Sequence, residues 1–149
     1  MAYLVDTSVL GRLANTADPF HTQAASAVLE LHRRGELLHV TAQNLVEFRN
    51  MGTRATSLNG LGLSAAEVQV KAAVFEAIFP LLVETPGIFL AWKAIVESLG
   101  IIGKQVHDAR LVAVCQTHAV THLLTFNISH FARMTGVLPS VVFVDPAAV

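Results

Sequence analysis

Tyr3-Leu4-Val5-Asp6-Thr7-Ser8-Val9-Leu10 passes from an apolar run into three polar residues, after which Val9, Leu10 and Leu13 fall at helical spacing. That order predicts a strand, a turn and a helix. The pattern then repeats. Asp18-Pro19 opens a helix with Phe20, Ala24, Ala27, Val28 and Leu31 on its apolar face, and Gly35 closes it. A second short strand is expected at 37–40, with Thr41 as N-cap of a helix running through Asn50. Residues 52–62 carry turn chemistry and read as a loop. Helices are expected at 65–79, stopped by Pro80, and at 86–99, with Pro86 in the first turn and Ile88, Trp92, Ile95, Val96 and Leu99 on one face. Another is expected at 104–118, and further strands at 81–83, 122–125 and 140–144. Short apolar strands alternating with helices imply a parallel sheet covered on both faces. Ligands bind such open sheets beyond the carboxyl ends of the strands, where the first strand delivers Asp6.

Composition fits one apolar-cored domain over residues 1–149. Of the 149 residues 53% are hydrophobic and only 14% charged, against a usual charged share of about 25%, which argues against disorder and against a long solvated coiled coil. Ten Lys and Arg against eleven Asp and Glu leave a formal charge of -1, so no global basic field exists and any nucleic-acid contact must be local. Cys115 stands alone, excluding an internal disulfide framework and a cysteine-based zinc cage; a reducing, cytoplasmic setting is expected. The first residues do not read as a signal peptide. The most apolar stretch, 74–92, is broken by Glu76, Pro80, Glu84 and Pro86, short of the ~18 uninterrupted apolar residues of a membrane span.

Most carboxylates have ordinary explanations. Glu30 precedes Arg33 and Arg34, Glu67 precedes Lys71, and Glu97 follows Lys93, all at spacings of exposed helical ion pairs. Asp18, Glu36, Glu84 and Asp145 lie beside turn residues, while Glu76, unpaired near a helix end, stays undecided. Three acids stand apart. Asp6 follows a buried strand, where a carboxylate is costly unless bonded or neutralised, or serves as an N-cap. Glu47 has Gln43, Asn44, Asn50 and Met51 as helical neighbours and no basic partner among them. Asp108 shares a face with Leu111, Val112 and Cys115, although a first-turn acid also suits the helix dipole and Lys104 lies four residues before it. A divalent cation with oxygen ligands is one way to hold three such charges close together.

The chain resembles the PIN domain family, specifically the VapC-like ribonuclease toxins of bacterial toxin-antitoxin pairs. The opening segment is similar to the family's strand followed by Asp, Thr and Ser or Asn. Gln43-Asn44-Leu45-Val46-Glu47-Phe48 resembles the helix carrying its second acid, and Gly103-Lys104-Gln105-Val106-His107-Asp108-Ala109-Arg110-Leu111 the helix carrying its third. His122-Leu123-Leu124-Thr125-Phe126-Asn127-Ile128-Ser129-His130-Phe131 is similar to the family's strand and Thr-x-Asn or Thr-x-Asp loop. Asn127 and His130 stand where relatives often place a fourth acid, which leaves open whether one metal ion or two would bind.

The resemblance implies a three-layer α/β/α sandwich around a mostly parallel sheet of four or five short strands. It also implies a metal-dependent endoribonuclease, with Asp6, Glu47 and Asp108 holding Mg2+ or Mn2+ and Asn127 joining them in catalysis. Ser8, Thr7 and Thr125 would support these residues from behind. Arg54, Arg12 and Arg110, with Arg49 and Lys104, are candidate phosphate contacts, Arg54 being the most exposed of them by expectation. So few cations suit a small structured site in tRNA or rRNA better than long tracking. A small VapB-like antitoxin and a homodimer are the implied partners, with no membrane association. The competing reading is a catalytically weak PIN-like module that binds RNA or protein, and a weaker one is action on DNA.

Overall fold

The computed structural model describes residues 1–149. Its centre is a five-stranded sheet in the order β3-β2-β1-β4-β5, built from β1 (Ala2–Val5), β2 (Leu37–Thr41), β3 (Leu81–Leu82), β4 (His122–Leu124) and β5 (Val142–Val144). Every neighbouring pair is parallel. Seven helices connect and cover it: α1 (Thr7–Ala14), α2 (His21–Arg33), α3 (Ala42–Thr53), α4 (Ala65–Ile78), α5 (Pro86–Leu99), α6 (Gln105–Thr117) and the single-turn α7 (Ile128–Phe131).

Strand alternation assigns the layers. Tyr3 and Val5 of β1 join Leu38 and Val40 of β2 and Leu124 of β4 in one core, which also takes in Val9, Leu10, Leu31, Phe48, Val68 and Phe75 from α1 to α4. Leu4 and Leu123 point to the opposite face, into a second core with Ile88 and Ile95 of α5 and Leu111, Val112 and Cys115 of α6. Successive side chains of a strand face opposite ways, so a strand covered on both sides must be apolar throughout. This is the α/β/α sandwich expected, with the sheet parallel throughout and five strands wide. In the first core Phe48 meets Phe75 edge to face at 5.0 Å, a contact adding about 0.5–1.5 kcal/mol to the area buried.

Helix α5 spans the residues expected, opened by Pro86 and ended by Gly100 in the left-handed region at φ 59°. Thr41 caps α3 as foreseen. The helix runs three residues further than expected, to Thr53, and a short 3-10 turn, Thr56–Leu58, interrupts the loop after it. The single turn of α7 was not anticipated, and four residues are too few for periodicity to show. No helix is long and apolar enough to cross a membrane.

Two expected side-chain roles change, those of Glu67 and Lys104, and Glu76, left open by the sequence, gains a partner. Glu67 is the far half of a capping box with Ser64 instead of a partner held by Lys71. Glu76 comes within 3.9 Å of Arg49 across the α3–α4 interface. Lys104 makes no ion pair with Asp108 or any other acid. The pairs Glu30 with Arg33 and Arg34, and Lys93 with Glu97, form as expected.

Candidate active site

The strand order reverses direction at β1: one half of the sheet grows outward through β2 and β3, the other through β4 and β5. Asp6 follows β1 and Thr125 follows β4, so both stand at the carboxyl edge of the switch point, with Asp6 N–H donating to the Leu124 carbonyl at 3.0 Å. Five polar residues in the chain are buried: Asp6, Thr7, Thr41, Asn44 and Thr125. Buried polar groups are costly unless bonded, and all five belong to two hydrogen-bond chains meeting here.

The first chain holds Asp6. The residue occupies the N-cap position of α1, but its side chain makes no capping bond. Instead Oδ2 accepts from Ser8 Oγ at 2.6 Å and from Thr125 Oγ1 at 2.7 Å. Each hydroxyl gives its one proton to Asp6 and accepts a backbone N–H, from Phe126 onto Ser8 at 3.2 Å and from Asn127 onto Thr125 at 3.0 Å. The loop after β4 therefore fixes the carboxylate's orientation, while Oδ1 takes no hydrogen bond. The N-cap explanation of Asp6 does not hold.

The second chain holds Glu47. Thr41 and Asn44 close a reciprocal capping box at the start of α3, with both Thr41 N–H and Thr41 Oγ1 donating to Asn44 Oδ1. Asn44 Nδ2 then donates to Thr7 Oγ1 at 3.2 Å, and Thr7 donates to Glu47 Oε2 at 2.8 Å. Gln43 Nε2 donates to Glu47 Oε1 at 2.9 Å and to the His107 carbonyl at 2.9 Å, tying α3 to the start of α6. Gln43 lies one helical turn before Glu47, a neighbour legible in the sequence although its bridging role was not.

Asp108, in the first turn of α6, is half-buried and takes no hydrogen bond. Burial raises its pKa above the ordinary carboxylate value; the imidazole of His130 opposes that rise, and the negative charges of Asp6 and Glu47 add to it. His130 Nδ1 stands 3.6 Å from Asp108 Oδ2, so this exposed residue, expected as an ordinary loop histidine, faces the acids. Asn127 is half-buried and its side-chain amide makes no hydrogen bond.

No Lys or Arg lies within ion-pair distance of Asp6, Glu47 or Asp108. As the side chains stand, no three acids form a group tight enough to grip one ion. Asp6 and Asp108 each retain at least one oxygen with no hydrogen-bond donor, whereas both oxygens of Glu47 are occupied. This donor set fits Mg2+, which keeps several waters and is commonly held through one or two carboxylates.

Among the candidate phosphate contacts, Arg54 is placed differently from expectation. Arg54 is half-buried, donating to the Asn59 carbonyl at 3.1 Å and holding the loop before α4, so it is not the most exposed cation. Arg12 lies 4.3 Å from the centre of the Phe126 ring and donates to the Ser8 carbonyl, pinning α1 to the loop after β4. Arg110 is paired with Glu84 at 2.6 Å and Gln43 at 3.1 Å.

The PIN domain family model matches residues 3–137 of this sequence. The chain belongs to the PIN domain family. Its fold is shared by VapBC2 from Rickettsia felis, solved bound to a DNA fragment from its promoter, at TM-score 0.70 and 17% identity, covering 97% of this chain and 98% of that one. VapBC-1 from nontypeable Haemophilus influenzae gives TM-score 0.71 and 14% identity over 99% of both chains. Mycobacterium tuberculosis VapC20, described as a sarcin-ricin loop cleaving toxin, gives 0.61 and 20% over 87% of this PIN domain and 93% of that protein. No curated protein matches the sequence.

Proposed function

We propose that this PIN domain is a divalent-metal-dependent endoribonuclease of the VapC kind, restrained by a small VapB-like antitoxin and acting as a homodimer. One observation carries the reading: all five buried polar residues belong to the two hydrogen-bond chains that hold Asp6 and Glu47 at one edge of the sheet, beside an unbonded Asp108. Holding carboxylates with no cationic partner on buried hydroxyls makes sense for a site that receives a cation. The structural relatives solved as VapBC pairs support the antitoxin, and the description of VapC20 as a sarcin-ricin loop cleaving toxin supports the nuclease reading.

Asp6 and Asp108 would hold the ion directly, with Glu47 acting on its water shell or exchanging a hydrogen bond to join it. Mg2+ or Mn2+ bound there would polarise a phosphoryl oxygen and make water a competent nucleophile near neutral pH. Ser8 and Thr125 keep Asp6 oriented through the reaction, and the free amide of Asn127 is placed to orient water or a phosphate oxygen. His130, exposed with its Nδ1 3.6 Å from Asp108 Oδ2, would serve as proton donor to a leaving-group oxygen.

The test is to map new RNA ends across a total RNA pool incubated with the protein, with and without EDTA and with Asp6→Ala as control. Discrete ends that require both metal and Asp6 are expected. Cleavage that persists in folded Asp6→Ala and Asp108→Ala would refute the assignment. His130 in place of a fourth acid favours, as second reading, a module that binds RNA or a protein partner without cutting. RNA binding with no divalent uptake at millimolar metal would select it.

A further inference from the structure

Beside the acids, at the same carboxyl edge of the sheet but on the β3 side, lies a half-open pocket of about 260 Å³. It is lined by Glu84 and Thr85, just past β3, by Ile88, Phe89 and Trp92 of α5, and by Arg110 of α6. It is smaller than the ~300–1,000 Å³ of pockets for drug-sized ligands, a size suited to one heterocyclic ring.

We propose that this pocket receives one unpaired nucleobase of the RNA, next to the phosphate that is cut. The proposal rests on the nuclease reading above for its location, and on the pocket's own chemistry for its ligand. Two aromatic rings form one wall, Phe89 and Trp92, with centroids 5.8 Å apart. Phe89 is 59% exposed, an aromatic that the core does not require. Trp92 already donates its indole N–H to the Val106 carbonyl at 2.8 Å, so the ring offers apolar and π surface only. Rings presented in this way bind bases by stacking, whatever the base.

The remaining lining groups can read a base edge. Arg110 uses its guanidinium on Glu84 and Gln43, leaving further N–H donors of its five. Glu84 is a half-exposed acceptor. Thr85 also lines the pocket, although its Oγ1 is shielded from solvent and has no hydrogen-bond partner. The Arg110 donors and the Glu84 acceptor beside an aromatic wall match the mixed edge of a nucleobase better than an apolar side chain from a protein partner.

The pocket is also wired to the acids. Arg110 donates to Gln43, and Gln43 donates to Glu47, so the pocket's cation is two hydrogen bonds from a candidate metal-site residue. A base seated against Phe89 would therefore help to set which phosphate reaches Asp6 and Asp108. An RNA loop with a splayed base offers this contact, while a base-paired helix does not.

Trp92 is the only tryptophan in the chain and lines the pocket, so it reports directly. In EDTA, where cleavage is blocked, the intact protein is titrated with short unstructured homopolymeric oligoribonucleotides. An abasic oligomer of equal length and charge is the control. Saturable quenching of Trp92 by at least one base-bearing oligomer, and none by the abasic one, is expected. Phe89→Ala should weaken binding about tenfold and Phe89→Tyr should restore it. Equal binding of the abasic oligomer, or wild-type affinity in a folded Phe89→Ala, would overturn the proposal. Because these readings need no metal and no cleavage, they decide the pocket separately from the nuclease assignment. If RNA is cleaved but an abasic substitution beside the cut site costs no rate, the pocket is likewise excluded.

Discussion

Asp6 and Asp108 are maintained in opposite ways. Asp6 is 94% buried yet bonded on one oxygen by two hydroxyls, so its orientation is fixed before any ligand arrives. Asp6→Ala is expected to reduce cleavage at least ~100-fold, and Thr125→Ala, which frees the carboxylate to turn, by about 10–100-fold with metal affinity weakened in parallel. Asp108 is destabilised as an anion by burial and by its acidic neighbours. Its native pKa lies above its unfolded value, so the native state binds the proton more tightly. Stability then falls as pH rises from the unfolded pKa through the native one, and stays lower above it. Asp108→Asn should remove that slope and raise the melting temperature of the metal-free protein at neutral pH, while abolishing cleavage. Melting curves across the acid range would show the slope, and an unchanged slope in Asp108→Asn would assign it to another group. The sequence sets Asp6, Glu47 and Asp108 apart as candidates, because the ordinary duties open to Asp6 and Asp108, an N-cap and a pairing with Lys104, compete with a site role and Glu47 has no basic helical neighbour. It could not show that Asp6 declines its N-cap role, since that depends on a hydroxyl 119 residues away.

At the level of elements, the start of α3 is where fold and site are joined. Its capping box satisfies backbone donors, and the same Asn44 carries the bond to Thr7 that holds Glu47. Thr41→Ala should therefore cost about 1–2 kcal/mol, from the lost cap and an unpaired buried Asn44, and lower activity beyond what the stability loss accounts for. Denaturant titration alongside cleavage rates separates the two effects. The α3–α4 contact is equally close: a Cβ on Gly52 would stand 2.7 Å from a methyl of fully packed Val68. Gly52→Ala is expected to cost about 1–3 kcal/mol by overpacking, seen as a lower denaturation midpoint with an unchanged slope. The long helices were legible through periodicity, Pro86 and Thr41. What escaped was α7, too short to show a period, and the duties of Glu67, Glu76 and Arg54, which depend on capping geometry or on a neighbouring element.

Across the whole molecule, a parallel sheet wound in both directions leaves a crevice where neighbouring strands send their connections to opposite faces, and this chain places Asp6 and Thr125 there. α3 and α6, one from each helix layer, bring Glu47 and Asp108 to the same edge. Strand composition made the parallel sheet legible, but strand order and the β3-side pocket arise only from packing. The central claim is that this edge captures a divalent ion on Asp6 and Asp108, and calorimetric titration with Mn2+ tests it most directly. The account predicts saturable binding to the wild-type protein that is lost in folded Asp6→Ala and Asp108→Asn, whereas binding that survives in both, or no binding to the wild type at millimolar Mn2+, would contradict it.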